Sequence, residues 1–195
     1  VRRVRRVRRV SVRRVSGGAE AAGARGLARV AGVTDSSKRP LAVFDLDNTL
    51  ADTAHRQHFL TSRPRDWDAF FAAAPQDPPL AEGVALAEES AGTCEVVYLT
   101  GRPERCRRDT LDWLAAHGLP EGPVHMRSDT DRRPARFTKL QILRRLARDR
   151  EVRVLVDDDE LVCDDAERAG FTVVRARWAA KSAVLEEAQE REGRT

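Results

Sequence analysis

The sequence is short of several things. Of its 35 basic residues only Lys38, Lys139 and Lys181 are lysines, so an ammonium group such as that of Lys139 stands out among guanidiniums. Cysteine is limited to Cys94, Cys106 and Cys163, scattered and without metal-ligand spacing. An odd, sparse set of this kind argues against a disulfide framework or a zinc site and for a reducing, cytoplasmic setting. The three thiols then read as small buried hydrophobes. No apolar run approaches the length of a membrane span, and no signal-peptide core precedes a cleavage site, so no membrane partner is expected. What remains is 195 residues, enough for one domain with a real core.

Acid is scarce only at the beginning. Residues 1–39 hold Lys38 and eleven arginines against Glu20 and Asp35, a local charge of +10. The whole chain carries +4, which leaves −6 for the remainder: an acidic body behind a basic leader. The leader opens as Val1-Arg2-Arg3-Val4-Arg5-Arg6-Val7, a three-residue repeat that matches neither a helical face nor a strand. An Ala/Gly-rich spacer follows and offers nothing to build a core. The readings are an arm for nucleic acid or anionic membrane, an Arg-rich transit peptide, or disordered sequence outside the working protein. The last is the expectation for residues 1–39, with the folded domain over 40–195.

The chain is organised around Leu41-Ala42-Val43-Phe44-Asp45-Leu46-Asp47-Asn48-Thr49-Leu50. A short apolar run ending in an acid reads as a strand buried on both faces, as in a parallel sheet. Functional groups in such sheets sit beyond the carboxyl ends of the strands, where Asp45 falls. Asn48 and Thr49 suit the tight turn that must follow. Two carboxylates converging there demand a compensating cation, and hard oxygen ligands favour Mg²⁺. Unequal environments allow one acid to stay ionised as a nucleophile while the other carries a proton.

The elements after it alternate. Residues 51–60 are polar with little period, and His55 and His58 have no metal partner spacing, so a structural or surface role is expected over contact with substrate. Asp66 caps a short helix with Trp67, Phe70 and Phe71 on one side, within a small cap at about residues 60–79 whose aromatics are expected to pack. A helix over 80–91 leads to a buried strand, Glu95-Val96-Val97-Tyr98-Leu99, which runs into Thr100-Gly101-Arg102-Pro103. A hydroxyl, loop amides and a helix opening at Pro103 form an expected phosphate cradle. A helix over 104–117, a strand Val124-His125-Met126-Arg127, and a helix opening at Thr138-Lys139 come next. Strand Val152-Arg153-Val154-Leu155-Val156 ends in Asp157-Asp158-Asp159, acids that repel one another without a cation. Asp159, Asp164 and Asp165 read as helix-start charge. A strand over 171–174 and a charged helix from 179 complete a doubly wound α/β pattern, mainly parallel and Rossmann-like, with a minimal cap insert after the first strand.

Asp45-Leu46-Asp47-Asn48-Thr49, Thr100-Gly101-Arg102, Lys139 and Asp157-Asp158 together, in this order, resemble the four motifs of the haloacid dehalogenase-like phosphatases. The resemblance covers about residues 41–177. It implies a Mg²⁺-dependent phosphomonoesterase in which Asp45 is the nucleophile that becomes an aspartyl-phosphate. Asp47 is then the general acid and base, and Thr100, Gly101 and Lys139 bind the phosphoryl oxygens. Arg102 orients the substrate, and Asp45, the Asp47 carbonyl, Asp157 and Asp158 hold the metal. The small cap, the loop over 127–134 and the Asp-Asp pattern are also similar to the 3′-phosphatase domain of phage-type polynucleotide kinase. No G-x-x-x-x-G-K-[ST] loop occurs, so no kinase half is expected. Asp159 stands where that relative has a basic residue. The expected partner is a phosphorylated substrate, either a polynucleotide 3′ end or a small molecule such as a nucleotide. A reading of another class is a nucleic-acid-binding protein acting through its Arg-rich arm.

Overall fold

In the computed structural model of the chain, residues 39–180 and 182–192 are described. The disordered leader expected over 1–39 lies, except for Arg39, outside the described residues. The rest forms one five-stranded sheet: β1 (Leu41–Phe44), β2 (Glu95–Pro103), β3 (Val124–Arg127), β4 (Val152–Asp157) and β5 (Val173–Arg175). All neighbours are parallel, in the order β3-β2-β1-β4-β5. The helices are α1 (Trp67–Ala72), α2 (Ala81–Ala91), α3 (Arg107–Ala116), α4 (Ala135–Asp149), α5 (Glu160–Arg168) and α6 (Ala183–Glu192).

The apolar run of β1 is central because it has a hydrophobic layer on each side. Ala42 and Phe44 join a core with Tyr98, Trp67, Phe70, Trp113 and Leu185. Leu41 and Val43 join a second core with Val97, Leu99, Leu143, Leu155 and Val162. Strand alternation thus feeds one layer of α1, α2, α3 and α6 and another of α4 and α5. From β1 the chain moves outward through β2 and β3, then crosses back to β4 on the other side of β1. The carboxyl ends of β1 and β4 therefore flank the switch point, where open α/β sheets form their crevice.

Several boundaries differ from those expected. The polar stretch after the first turn, read as having little period, forms a 3₁₀ helix, Ala54–Leu60. The helix bearing Lys139 opens at Ala135, directly after Pro134, which places Lys139 inside it. The last helix starts at Ala183, not 179. β2 continues through Thr100 to Pro103, because Pro103 still pairs with Arg127 after an irregularity beyond Leu99. The cap helix is as expected: the Asp66 carboxylate accepts from the Ala69 amide (2.9 Å). Trp67, Phe70 and Phe71 are buried and pack ring against ring at 5.5–5.8 Å.

Gly83 seats α2 on the turn that carries the first acidic motif. A Cβ there would lie 2.0 Å from the carbonyl oxygen of Thr49, a backbone atom that also accepts from the Trp178 indole (2.9 Å). In an open helix Gly→Ala stabilises by about 1 kcal/mol. Here the sign reverses, since overpacking of this kind costs about 1–3 kcal/mol. Gly83→Ala is therefore expected to lower stability, read by urea unfolding; an unchanged or raised midpoint contradicts this packing.

Candidate active site

The turn after β1 is closed by its own backbone. The amides of Leu50 and Ala51 donate to the Leu46 carbonyl (2.8 and 2.9 Å), and Asn48 N–H donates to Ala51 (2.8 Å). Asn48 adopts a left-handed φ of 58°, which its short polar side chain tolerates. Its Oδ1 also accepts from the Thr53 hydroxyl (2.7 Å), tying the turn to the start of the cap. The result turns Asp45 and Asp47, both buried, in different directions.

Asp45 faces β4. Lys139, one turn inside α4, places its Nζ 2.8 Å from Asp45 Oδ1 and 2.7 Å from Asp157 Oδ2. Asp157 is the last residue of β4, and its other oxygen accepts from the Asp159 amide (3.1 Å). Asp158 completes the group: one carboxylate oxygen each from Asp45, Asp157 and Asp158 lie within 4.8 Å of one another. Asp158 Oδ1 is buried and has no hydrogen-bond partner. Three carboxylates here share one ammonium.

The consequences for ionisation follow. Burial raises the Asp45 carboxyl to about 8, with Asp157 and Asp47 adding to the rise and only Lys139 opposing it. Burial, then Asp45 and Asp157, push Asp158 well above the usual carboxylate range. Burial also raises Asp157. For Lys139 burial disfavours the charge, but Asp157 and Asp45 outweigh it and hold the ammonium protonated.

Asp47 faces the cap and meets the opposite balance. Arg102 Nε and Nη2 donate to its Oδ1 (2.9 and 2.5 Å), and Arg56 Nη2 donates to the same atom (2.8 Å). Both guanidiniums also bind Asp77: Arg56 through Nε and Nη2 (2.7 Å each), Arg102 through Nη2 (2.9 Å). Arg56 is fully buried, with its guanidinium 4.1 Å above the centre of the Phe70 ring. The Asp77 carbonyl accepts from the Trp113 indole (2.8 Å), fixing the end of the cap on α3. Burial alone raises the Asp47 carboxyl, yet Arg102 and Arg56 prevail and hold it at about 2. The sequence reading gave the proton to Asp47 and the charge to Asp45. The surrounding charges favour the other distribution: two arginines sit on Asp47, and acids surround Asp45.

Thr100 and Gly101 lie at the end of β2, both buried, with Thr100 Oγ1 accepting from the Arg102 amide (3.2 Å). The helix expected to open at Pro103 does so as a 3₁₀ turn, Glu104–Cys106, with Pro103 in extended conformation as its N-cap. Arg127, buried at the end of β3, donates to the Gly101 carbonyl (3.2 Å). Asp159 caps α5, accepting from the amides of Leu161 and Val162, as expected for helix-start charge. His55 Nε2 lies 2.8 Å from Asp77 Oδ1, a structural contact, and His58 lies against Phe59 at the surface. The structure thus groups Asp45, Lys139, Asp157 and Asp158, and separately Asp47 with Arg102. It adds Arg56 and Asp77, for which the sequence has no signal: no local spacing links positions 47, 56, 77 and 102.

The donor set suits a hard divalent cation. All donors are carboxylate oxygens, they converge, and Asp158 Oδ1 lacks any partner. A family model described as the polynucleotide kinase PNKP phosphatase domain matches residues 40–179. Among solved structures, a chain of the Pnkp1/Rnl/Hen1 RNA repair complex is similar with a TM-score of 0.60 at 21% identity, over 80% of this chain and 48% of that one. This chain thus spans about half the length of that relative. A class C acid phosphatase from Bacillus anthracis gives 0.54 at 12% identity, over 78% of both chains. A haloacid dehalogenase-like hydrolase from Streptococcus pneumoniae gives 0.53 at 14%, over 79% of this chain and 92% of that one. At these identities the likeness carries the fold. No curated protein matches the chain. With 140 residues matched in one stretch, the chain belongs to the polynucleotide kinase PNKP phosphatase-domain family, a phosphatase on the haloacid dehalogenase-like fold.

Proposed function

We propose that this phosphatase is a Mg²⁺-dependent phosphomonoesterase acting through an aspartyl-phosphate on Asp45, with polynucleotide 3′-phosphate ends as substrate. The observation that carries the reading is the convergence of Asp45, Asp157 and Asp158 around a single Lys139 at the switch point. The substrate comes from the family: the matching family model describes the phosphatase domain of a polynucleotide kinase, and one similar solved chain is part of an RNA repair complex. A screen of 3′-phosphorylated oligonucleotides against free nucleotides and sugar phosphates tests it. Preference for a nucleotide or sugar phosphate overturns the substrate.

Asp45, Asp157, Asp158 and the Asp47 carbonyl would hold the cation. When bound, it supplies the positive charge that ionises the acids around Asp45 and offsets charge on the phosphoryl oxygens. The rest is done by the chain. Asp45 attacks phosphorus in line, the P–O bond to the leaving oxygen breaks, and Asp45 becomes an acyl phosphate. Thr100 and Lys139 bind the phosphoryl oxygens as their charge redistributes. Asp47 gives a proton to the leaving oxygen and then takes one from the water that cleaves the acyl phosphate. Arg102 and Arg56 keep Asp47 ionised, and so able to accept a proton. A phosphoryl dianion reaching Arg102 competes for the same guanidinium, weakening its hold on Asp47 and raising Asp47's affinity for the proton it must donate.

Mg²⁺ binding to the native state alone is expected to stabilise by about 2.7 kcal/mol at a hundredfold excess over its dissociation constant. A thermal midpoint indifferent to millimolar Mg²⁺, together with hydrolysis that survives chelation, argues against this site. The two acids separate by substitution. Asp45→Asn is expected to abolish turnover on every substrate. Asp47→Asn loses proton transfer, worth about 10²–10⁴ in rate, and loses most with alkyl or ribose leaving groups and least with p-nitrophenyl phosphate. Its phosphoenzyme is expected to persist longer in a rapid acid quench. Equal losses on both substrates, with no trapped intermediate, contradict the division of labour.

A further inference from the structure

The side chains at the strand ends lie deep. Asp45, Asp47, Thr100 and Lys139 are each 2–4% exposed. Helix α6 lies at the site's edge. Its Leu185 and Glu186 line a cavity of about 40 Å³ with Asn48 of the first motif turn and Asp158. Leu185 and Ala188 are buried in the cap-side core.

The outward-facing chemistry of α6 is acidic: Glu186, Glu187, Glu190 and Glu192 against Arg191. Three of these carboxylates hold arginines on two other elements. Glu187 pairs with Arg63 (2.9 Å) and Arg65 (3.3 Å) in the cap, and Glu192 pairs with Arg65 and accepts from the Trp67 indole (2.6 Å). Glu190 pairs with Arg136 of α4 (3.0 Å). The cap is the element that delivers Arg56 to Asp47, and Arg136 lies one turn before Lys139 on α4. The arginines thus belong to the two elements that supply the site, and α6 spans both. The Arg65 side chain is only 3% exposed, and its paired carboxylates both come from α6. With α6 displaced the Arg65 guanidinium loses both carboxylates and presents the planar fork that binds phosphate.

We propose that Arg63, Arg65 and Arg136 form a subsite for the backbone phosphates of a polynucleotide, and that α6 is an acidic strap occupying that subsite until the polymer displaces it. The proposal rests on the polynucleotide reading of the site. Carboxylate and phosphodiester oxygens compete for the same donors. Ion pairs with partly exposed partners are weak and screened by salt, so the exchange is accessible to a polyanion.

The test uses the full chain with Glu187, Glu190 and Glu192 changed to Gln, which keeps hydrogen-bond acceptors and removes charge. Leu185→Asp, which undocks α6 by burying a charge, is the second variant. Binding of an unphosphorylated single-stranded oligothymidylate is followed against salt, beside hydrolysis of its 3′-phosphorylated form and of p-nitrophenyl phosphate. Both variants are expected to bind the oligonucleotide about tenfold tighter at low salt. The slope of log affinity against log salt should steepen by about 2, from three phosphates at about 0.7 each. Oligonucleotide hydrolysis should gain more in kcat/KM than p-nitrophenyl phosphate hydrolysis. Adding Arg65→Gln and Arg136→Gln should remove the gain. A steeper slope without cleavage of any 3′-phosphorylated oligonucleotide supports the subsite and overturns the end-specific reading. Cleavage with an unchanged slope, or equal gains on both substrates, leaves that reading standing and overturns the strap.

Discussion

Charge imbalance at the ends of β1 and β4 is the constraint on which the rest of this structure turns. Three carboxylates, from Asp45, Asp157 and Asp158, converge on one ammonium in a buried pocket. Moving such groups out of water is costly unless each is paired, and the one pair of hands offered by Lys139 does not suffice. The structure meets the deficit by raising the proton affinity of the acids. A buried carboxylate oxygen on Asp158 is left with no partner. Three converging carboxylate oxygens are a donor set that could hold a hard cation.

A few ångströms of backbone away the same fold does the opposite. Asp47 and Asp77 meet Arg56 and Arg102, two charges against two, and every acid is satisfied by guanidinium donors. In this second cluster acids and guanidiniums pair with one another, and only Arg56 Nη1 is left without a partner. The cluster also explains what so small a cap contributes. The cap carries Arg56 and Asp77, braces them on Phe70 and Trp113, and so fixes the environment of Asp47 from outside the sheet. Neighbouring acids on one strand end thereby acquire opposite proton affinities.

The alternation of buried strands and helices was legible because its causes are local. A run such as Leu41 to Phe44 can be buried on both faces only within a parallel sheet, and acids at the ends of two such runs mark where the crevice opens. Asp66 and Asp159 act as caps through amides two or three residues away, so their roles could also be read from nearby sequence. Boundaries were less legible where pairing decided them. β2 runs on through Thr100 to Pro103 because a neighbouring strand still supports it, and the helical turn begins only at Glu104.

By itself, the sequence determined the strand ends, the acids placed on them and the lone lysine beside them, since these depend on hydrophobic runs and residue chemistry within a few positions. Only the tertiary structure decided which charges face which. Arg56, Asp77 and Arg102 are separated by 9 to 55 positions from the groups they bond in this cluster, and α6 reaches back more than a hundred residues to Arg63 and Arg65. Proton affinity depends on the distance between charges and their access to water, and both are set by how distant segments pack.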